Sequence, residues 1–282
     1  MTFNLSKFFG VCAIASGIAL AGCNQDKAAQ QTAAPVGDAP AAETIKVGVM
    51  AGPEQAVAEV ASQVAKDKYN LTVELVEFND YALPNTAVSK GELDANAMQH
   101  KPYLDKDSQE KGLDNLAIVG NTFVYPLAGY STKIKNLSEL KDGAIIAVPN
   151  DPSNLARALI LLEKQGLIKL KDHNNLFSTT IDIIENPKNL VIKEVDTSVA
   201  ARAMDDVDIA VVNNNYAGQV GLTASENGVF VEDKESPYVN IIVARTDNKD
   251  SAAIQNFVKA YQTDEVEAEA KKQFKDGVVK GW

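Results

Sequence analysis

The chain reads as an α/β protein of two lobes with a ligand cleft between them. Short apolar strands alternate with amphipathic helices from about residue 44 onward. A second series of the same kind starts after Ser131. Two extended stretches, 121–126 and 228–237, stand where a chain would leave one lobe and later return. Two crossings of that sort permit hinge closure around a ligand.

Ile45-Lys46-Val47-Gly48-Val49-Met50 has the apolar content of a buried strand. Gly52-Pro53-Glu54 opens a helix that runs through Tyr69, with Val57, Val60, Val64 and Ala65 on one face. Residues 71–76 alternate as a strand does, 83–90 read as a helix and 93–97 as a short strand. This βα alternation predicts a mostly parallel sheet covered by helices. In the second series 144–148 is a strand. A long helix follows from 150–153, with Leu155, Ala158, Leu159 and Leu162 on its apolar side. Residues 191–195, 208–212 and 238–244 are further strands, and 250–261 and 265–274 further helices.

The beginning of the chain has a different character. Lys7 precedes an apolar run of about 13 residues that ends in Leu20-Ala21-Gly22-Cys23. The run falls short of the roughly 20 apolar residues of a spanning helix. A basic start, a short apolar stretch and small residues before a cysteine describe a bacterial lipobox. Residues 1–22 are then a signal peptide and Cys23 the lipidated first residue of the mature protein. The segment 23–43 is rich in Ala, Gln and Pro and has no aromatic residue, which predicts a flexible tether.

Composition narrows the chemistry. The only cysteines are Cys12 and Cys23, one lost with the signal and one consumed by lipid. No disulfide, thiol nucleophile or cysteine-bound metal is left for the mature body. The net charge of −11 argues against nucleic acid and against electrostatic docking on anionic lipid. His100 and His173 are the only histidines, too few for a histidine-rich metal site. Phosphate loops, zinc motifs and nucleophile elbows are absent from the sequence, so the chain reads as a non-enzyme without cofactor or metal.

Two constellations are candidates for a binding site. In Val148-Pro149-Asn150-Asp151-Pro152-Ser153-Asn154-Leu155-Ala156-Arg157 a strand ends and a helix begins, with Asp151 as N-cap and Pro152 at the first helical position. Arg157 lies a turn and a half into that helix, where its fork could pair a carboxylate. The same residues also suit a capped helix with a solvated arginine. In Asp94-Ala95-Asn96-Ala97-Met98-Gln99-His100-Lys101-Pro102-Tyr103-Leu104, the residues Met98, His100 and Tyr103 follow a short strand and could line an apolar pocket or belong to the core. Tyr81, Phe123, Tyr125 and Asn213 recur near predicted strand ends.

These motifs, with Asn79-Asp80-Tyr81, Gly120-Asn121-Thr122-Phe123-Val124-Tyr125-Pro126, Glu185-Asn186-Pro187-Lys188-Asn189 and the final Val279-Lys280-Gly281-Trp282, carry a family resemblance. So does Val231-Glu232-Asp233-Lys234-Glu235-Ser236-Pro237-Tyr238-Val239-Asn240. The chain resembles the MetQ-type methionine-binding lipoproteins of ABC importers, in the NlpA lipoprotein family, over essentially all of 44–282. The resemblance implies a type II-like periplasmic-binding-protein fold, with 44–125 and 230–282 in one lobe and 126–229 in the other. It implies capture of L-methionine, or its D enantiomer, and delivery to an ABC permease with its ATPase subunit from a lipid anchor on a membrane facing the periplasm. Arg157 would hold the ligand carboxylate with Asn154 beside it, and Asn213 would contact the amino-acid backbone. Tyr81, Met98, His100, Tyr103 and Tyr125 would surround the side chain. The family usually has phenylalanine at Met98, often glycine at Ala156, and Thr-Thr at Asn214-Asn215 in close relatives. The alternative is an outer-membrane or surface lipoprotein with a different small amino-acid or peptide ligand or an adhesive role; Asn24, where aspartate would signal inner-membrane retention, leaves that placement open.

Overall fold

A computed structural model describes residues 43–233, 235–275 and 277–282. The expected signal segment 1–22, the lipidated Cys23 and the tether as far as residue 42 lie outside the described residues. The chain begins with β1 (Glu43–Met50), α1 (Pro53–Tyr69), β2 (Leu71–Phe78), α2 (Pro84–Ser89), β3 (Ala95–His100), α3 (Lys101–Lys111) and β4 (Leu116–Val124). It then forms β5 (Ala128–Tyr130), β6 (Ile145–Pro149), α4 (Pro152–Lys164), β7 (Lys169–Leu170), β8 (Ile183–Glu185), β9 (Val191–Val195) and β10 (Ile209–Val212). After α5 (Asn214–Gln219), α6 (Ala224–Asn227) and β11 (Phe230–Val231) come β12 (Val239–Arg245), α7 (Ala252–Tyr261), α8 (Asp264–Gln273) and β13 (Val279–Lys280).

The strands form two main sheets. The first has the order β13-β4-β12-β3-β1-β2 and the second β11-β5-β10-β6-β9. The chain therefore passes between sheets twice, once between Val124 and Ala128 and once between Val231 and Val239. Each sheet has its own apolar core. One packs Val47, Val57, Ala61, Phe123, Phe257 and Phe274 among others; the other packs Ile146, Val148, Leu155, Leu159, Leu162 and Val211. A third cluster joins Met50 and Met98 of the first sheet to Val212 and Tyr216 of the second region. Among the described residues no helix is long and apolar enough to cross a membrane.

The sheets are mixed rather than mostly parallel. β1 runs parallel to β2 and β3, and β6 parallel to β9 and β10. β12 lies antiparallel between β3 and β4, while β5 and β11 run antiparallel in the second sheet. These reversed strands flank the crossings, because a chain returning from the other lobe enters its sheet from the end that the outgoing strand left.

Local chemistry explains the helix starts. Pro53 and Pro152 take the first helical turn, where a missing N–H costs nothing. Asp151 caps α4 by accepting from the backbone N–H of Asn154 at 3.0 Å, as its position in the sequence predicts. The opposite carboxylate oxygen accepts from Thr197 Oγ1 at 2.9 Å, tying the cap to a neighbouring 3-10 segment. The third strand of the chain runs to His100 rather than ending at 97, and α3 follows it directly. α3 escapes periodicity because Pro102, Leu104 and Asp107 are its only buried residues. Its start is fixed by His100, whose ring accepts from the backbone N–H of Tyr103.

A close approach distinguishes Gly129 of β5. A Cβ there would come within 2.2 Å of the Phe230 ring on the neighbouring β11. Gly129→Ala is expected to displace Phe230 from the second core and to destabilise the protein by about 1–3 kcal/mol, read from the urea midpoint. Asp151→Ala loses both the cap and the Thr197 bond; the expected cost is about 1–2 kcal/mol in the same assay.

Candidate functional site

A cavity opens where strand ends and helix starts of both sheets meet. The eight residues expected to bind the ligand all line it: Tyr81, Met98, His100, Tyr103, Tyr125, Asn154, Arg157 and Asn213; Phe123 packs in the first core instead. Glu54, Gln99, Asn214, Asn215 and Asn240 complete the wall.

Arg157 is buried, not solvated, with 3% of its surface exposed. Its Nε donates to Glu232 Oε1 at 3.0 Å and to Oε2 at 3.2 Å, and its Nη2 also meets Oε2. Nη2 donates further to the Tyr125 carbonyl at 2.9 Å. The Tyr238 ring lies over the guanidinium, 4.6 Å from its carbon. Glu232 is itself held by the backbone N–H of Leu127 and the hydroxyl of Ser236. Two of the three guanidinium nitrogens are thus committed to the protein. Nη1 has no hydrogen-bond partner among the described residues, so one edge of a rigidly held cation is left for an anionic group.

A neutral polar network continues from Arg157. His100 Nε2 lies 3.2 Å from Asn154 Oδ1, and its Nδ1 accepts from Tyr103 N. That pairing assigns the ring proton to Nε2. Burial, with the Arg157 charge adding to it, pushes His100 down to about 3, so the ring stays uncharged at neutral pH. Asn154 Oδ1 also accepts from Asn213 Nδ2 at 2.9 Å, and Asn154 Nδ2 donates to both Asp151 oxygens. The cap of α4 therefore orients the amide that spans from α4 to His100.

Behind the cavity, Asn85, Asn96, Gln99 and Asp107 form a buried hydrogen-bonded set. This set holds β3, and with it Gln99 and His100, against α2 and α3.

The apolar side is aromatic. The Tyr81 ring stands 5.5 Å from Tyr103 and 5.2 Å from Tyr216, in edge-on and tilted arrangements. Tyr103 donates to the Tyr81 carbonyl, and Tyr81 donates to Asn215 Oδ1 at 2.6 Å across the two lobes. Met98, 2% exposed, packs in the same cluster. Burial pushes the hydroxyls of Tyr81, Tyr103 and Tyr216 well up, so all three remain neutral.

Several wall groups are left without partners. Asn213 Oδ1, both amide atoms of Asn214 and Asn215 Nδ2 are buried and make no hydrogen bond. Buried polar atoms are normally satisfied, so a cluster of unmet ones on a cavity wall marks a place for a polar ligand. Sequence reasoning passed over Glu54 because an acidic residue in a first helical turn has an ordinary explanation in the helix dipole. It passed over Asn240 because only sheet pairing sets that residue opposite His100. His173 is exposed and takes no part. No cluster of residues suited to a metal ion occurs among the described residues.

The cavity combines one anchored cation, neutral amides and an apolar aromatic pocket. That arrangement fits a small molecule with an acidic head and an apolar tail, held between lobes. The comparisons with known proteins agree in kind. The NlpA lipoprotein family model matches residues 45–282. Outer membrane lipoprotein 1 of Mannheimia haemolytica is 74% identical, over 99% of this chain and all of its own. A probable D-methionine-binding lipoprotein MetQ of Haemophilus influenzae is 70% identical, over 99% of both chains. The crystal structure of a methionine-binding protein, MetQ, superposes with a TM-score of 0.83 at 60% identity, covering 85% of this chain and 98% of that one. The two-sheet architecture is that of the type II periplasmic binding proteins. By sequence, fold and the extent of both matches, the chain belongs to the NlpA lipoprotein family.

Proposed function

We propose that this protein is the substrate-binding lipoprotein of an ABC methionine importer. The observation that carries the reading is the interlobe cavity itself, which joins a fixed arginine to an aromatic and thioether pocket. Relatives named for methionine binding supply the ligand. The ligand carboxylate meets Arg157 Nη1, with Asn154 beside it and Asn213 on the amino-acid backbone. Tyr81, Met98, His100, Tyr103 and Tyr125 enclose the thioether chain. Methionine in either enantiomeric form is the cargo; the membrane permease with its ATPase subunit is the recipient. Lipid at Cys23 anchors the protein on the periplasmic side of a membrane.

The lobes are 44–125 with 230–282, and 126–229, with the return segment opening on β11 of the second sheet. Contacts from both lobes favour the closed state once ligand is present. The direct bonds Tyr81–Asn215 and His100–Asn154 support closure as the binding-competent arrangement.

The 74% identical relative named as an outer membrane lipoprotein favours a second reading of placement. Separation of inner and outer membranes, followed by detection of the acylated protein, distinguishes the two.

Methionine is expected to bind at about one per chain and to raise the melting temperature, measured by calorimetry on residues 24–282. Arg157→Ala should weaken methionine binding by about 2–5 kcal/mol, as removal of a buried charge partner does. Equal affinity in Arg157→Ala and wild type would show the carboxylate site to be elsewhere. Competition between L- and D-methionine in the same titration reads the enantiomer preference.

A further inference from the structure

Glu54 is the only carboxylate lining the cavity among the described residues. It is the second residue of α1, directly beyond the end of β1, and only 4% exposed. Its side chain forms no hydrogen bond or ion pair among the described residues. Complementing the helix dipole needs no burial, and a carboxylate placed for stability would have a partner.

The groups that face Glu54 do not charge-balance it. Tyr81, Tyr125, Tyr216 and Tyr261 surround it from the loop after β2, the first crossing, α5 and α7. Burial keeps all four neutral. Asn215 and Gln219 of α5 are uncharged, and α8 meets the far end of α1 through the exposed pair Lys68–Glu265. His100 is neutral, and Arg157 is already engaged by Glu232. A cation that fits beside Glu54 therefore has to come from outside the protein.

We propose that Glu54 accepts the ligand's ammonium group, so that the cavity reads both charged groups on the α-carbon of an amino acid and rejects acids that lack a free amine. This rests on the cavity being the methionine site. Its consequence is a proton linkage. In the ligand-free protein, burial pushes the Glu54 carboxyl up to about 8, so it holds its proton at pH 7. When the ammonium arrives, the carboxyl loses that proton to solvent and the carboxylate pairs with the ammonium. Binding therefore releases close to one proton at pH 7 and tightens by up to about tenfold per pH unit between pH 6 and 8. The same group acts on stability. Its pKa in the folded protein lies above the unfolded value of 4.5, so its contribution falls as pH rises from there towards 8.

The test is calorimetric titration of wild type and Glu54→Gln with methionine and with its des-amino analogue, 4-(methylthio)butanoate. Each is run at pH 6, 7 and 8 in phosphate and in Tris, whose ionisation heats differ. Wild type should prefer methionine by at least about 30-fold and release a proton. Glu54→Gln should lose at least about tenfold of that preference and the proton release together. Glu54→Gln should also fold and, without ligand, melt above wild type at pH 8. A Glu54→Gln protein that keeps both the preference and the proton release overturns the inference while leaving the methionine reading standing. A wild type that binds no methionine overturns both.

Discussion

The buried ion pair between Arg157 and Glu232 is the contact on which the rest of the cleft depends. It ties together three parts of the chain that lie far apart in sequence. Arg157 comes from α4 of the second lobe, and Glu232 from the segment that returns to the first. The Tyr125 carbonyl and the Leu127 N–H come from the outgoing crossing. Taking two charges out of water is costly, and the pair is tolerated because both Glu232 oxygens and two of the three guanidinium nitrogens have hydrogen-bond partners. That satisfaction fixes the guanidinium in one orientation at the junction of both crossings. A cation held there senses the relative placement of the lobes, which is what a closing binding protein requires of its anchor.

Around this pair the protein keeps its charges few. His100 and the cavity tyrosines are neutral, and the polarity of the wall comes mostly from asparagine amides. In a dry setting each remaining charge acts strongly on a ligand. Arg157 and Glu54 are therefore the two groups that can discriminate by charge, whereas Met98 and the tyrosine rings discriminate by shape. The Asp151 cap links the two kinds of group, since it orients Asn154 and through it His100. A stability feature of one helix thus becomes a positioning feature of the site.

Much of the fold was legible in the sequence because its signals are local. The caps at Asp151 and Pro152, the apolar faces of α1 and α4 and the strand alternation after Leu71 need only neighbouring residues. The eight expected wall residues fell within recognisable motifs. α3 was not legible, since a helix with three buried residues has almost no periodicity. The antiparallel placement of β12 was missed as well, because strand direction depends on how the chain returns and not on the strand's own residues.

The sequence by itself determined the class of the protein, its two α/β series and the residue types from which a cleft could be made. Only the tertiary structure decided how those residues are employed. It paired Arg157 with a glutamate 75 positions away, turning a solvent-accessible fork into a fixed one with a free edge. It also set Asn240 opposite His100 and buried Glu54 without a partner. Burial and charge pairing arise between segments remote in the chain, so no local pattern carries them.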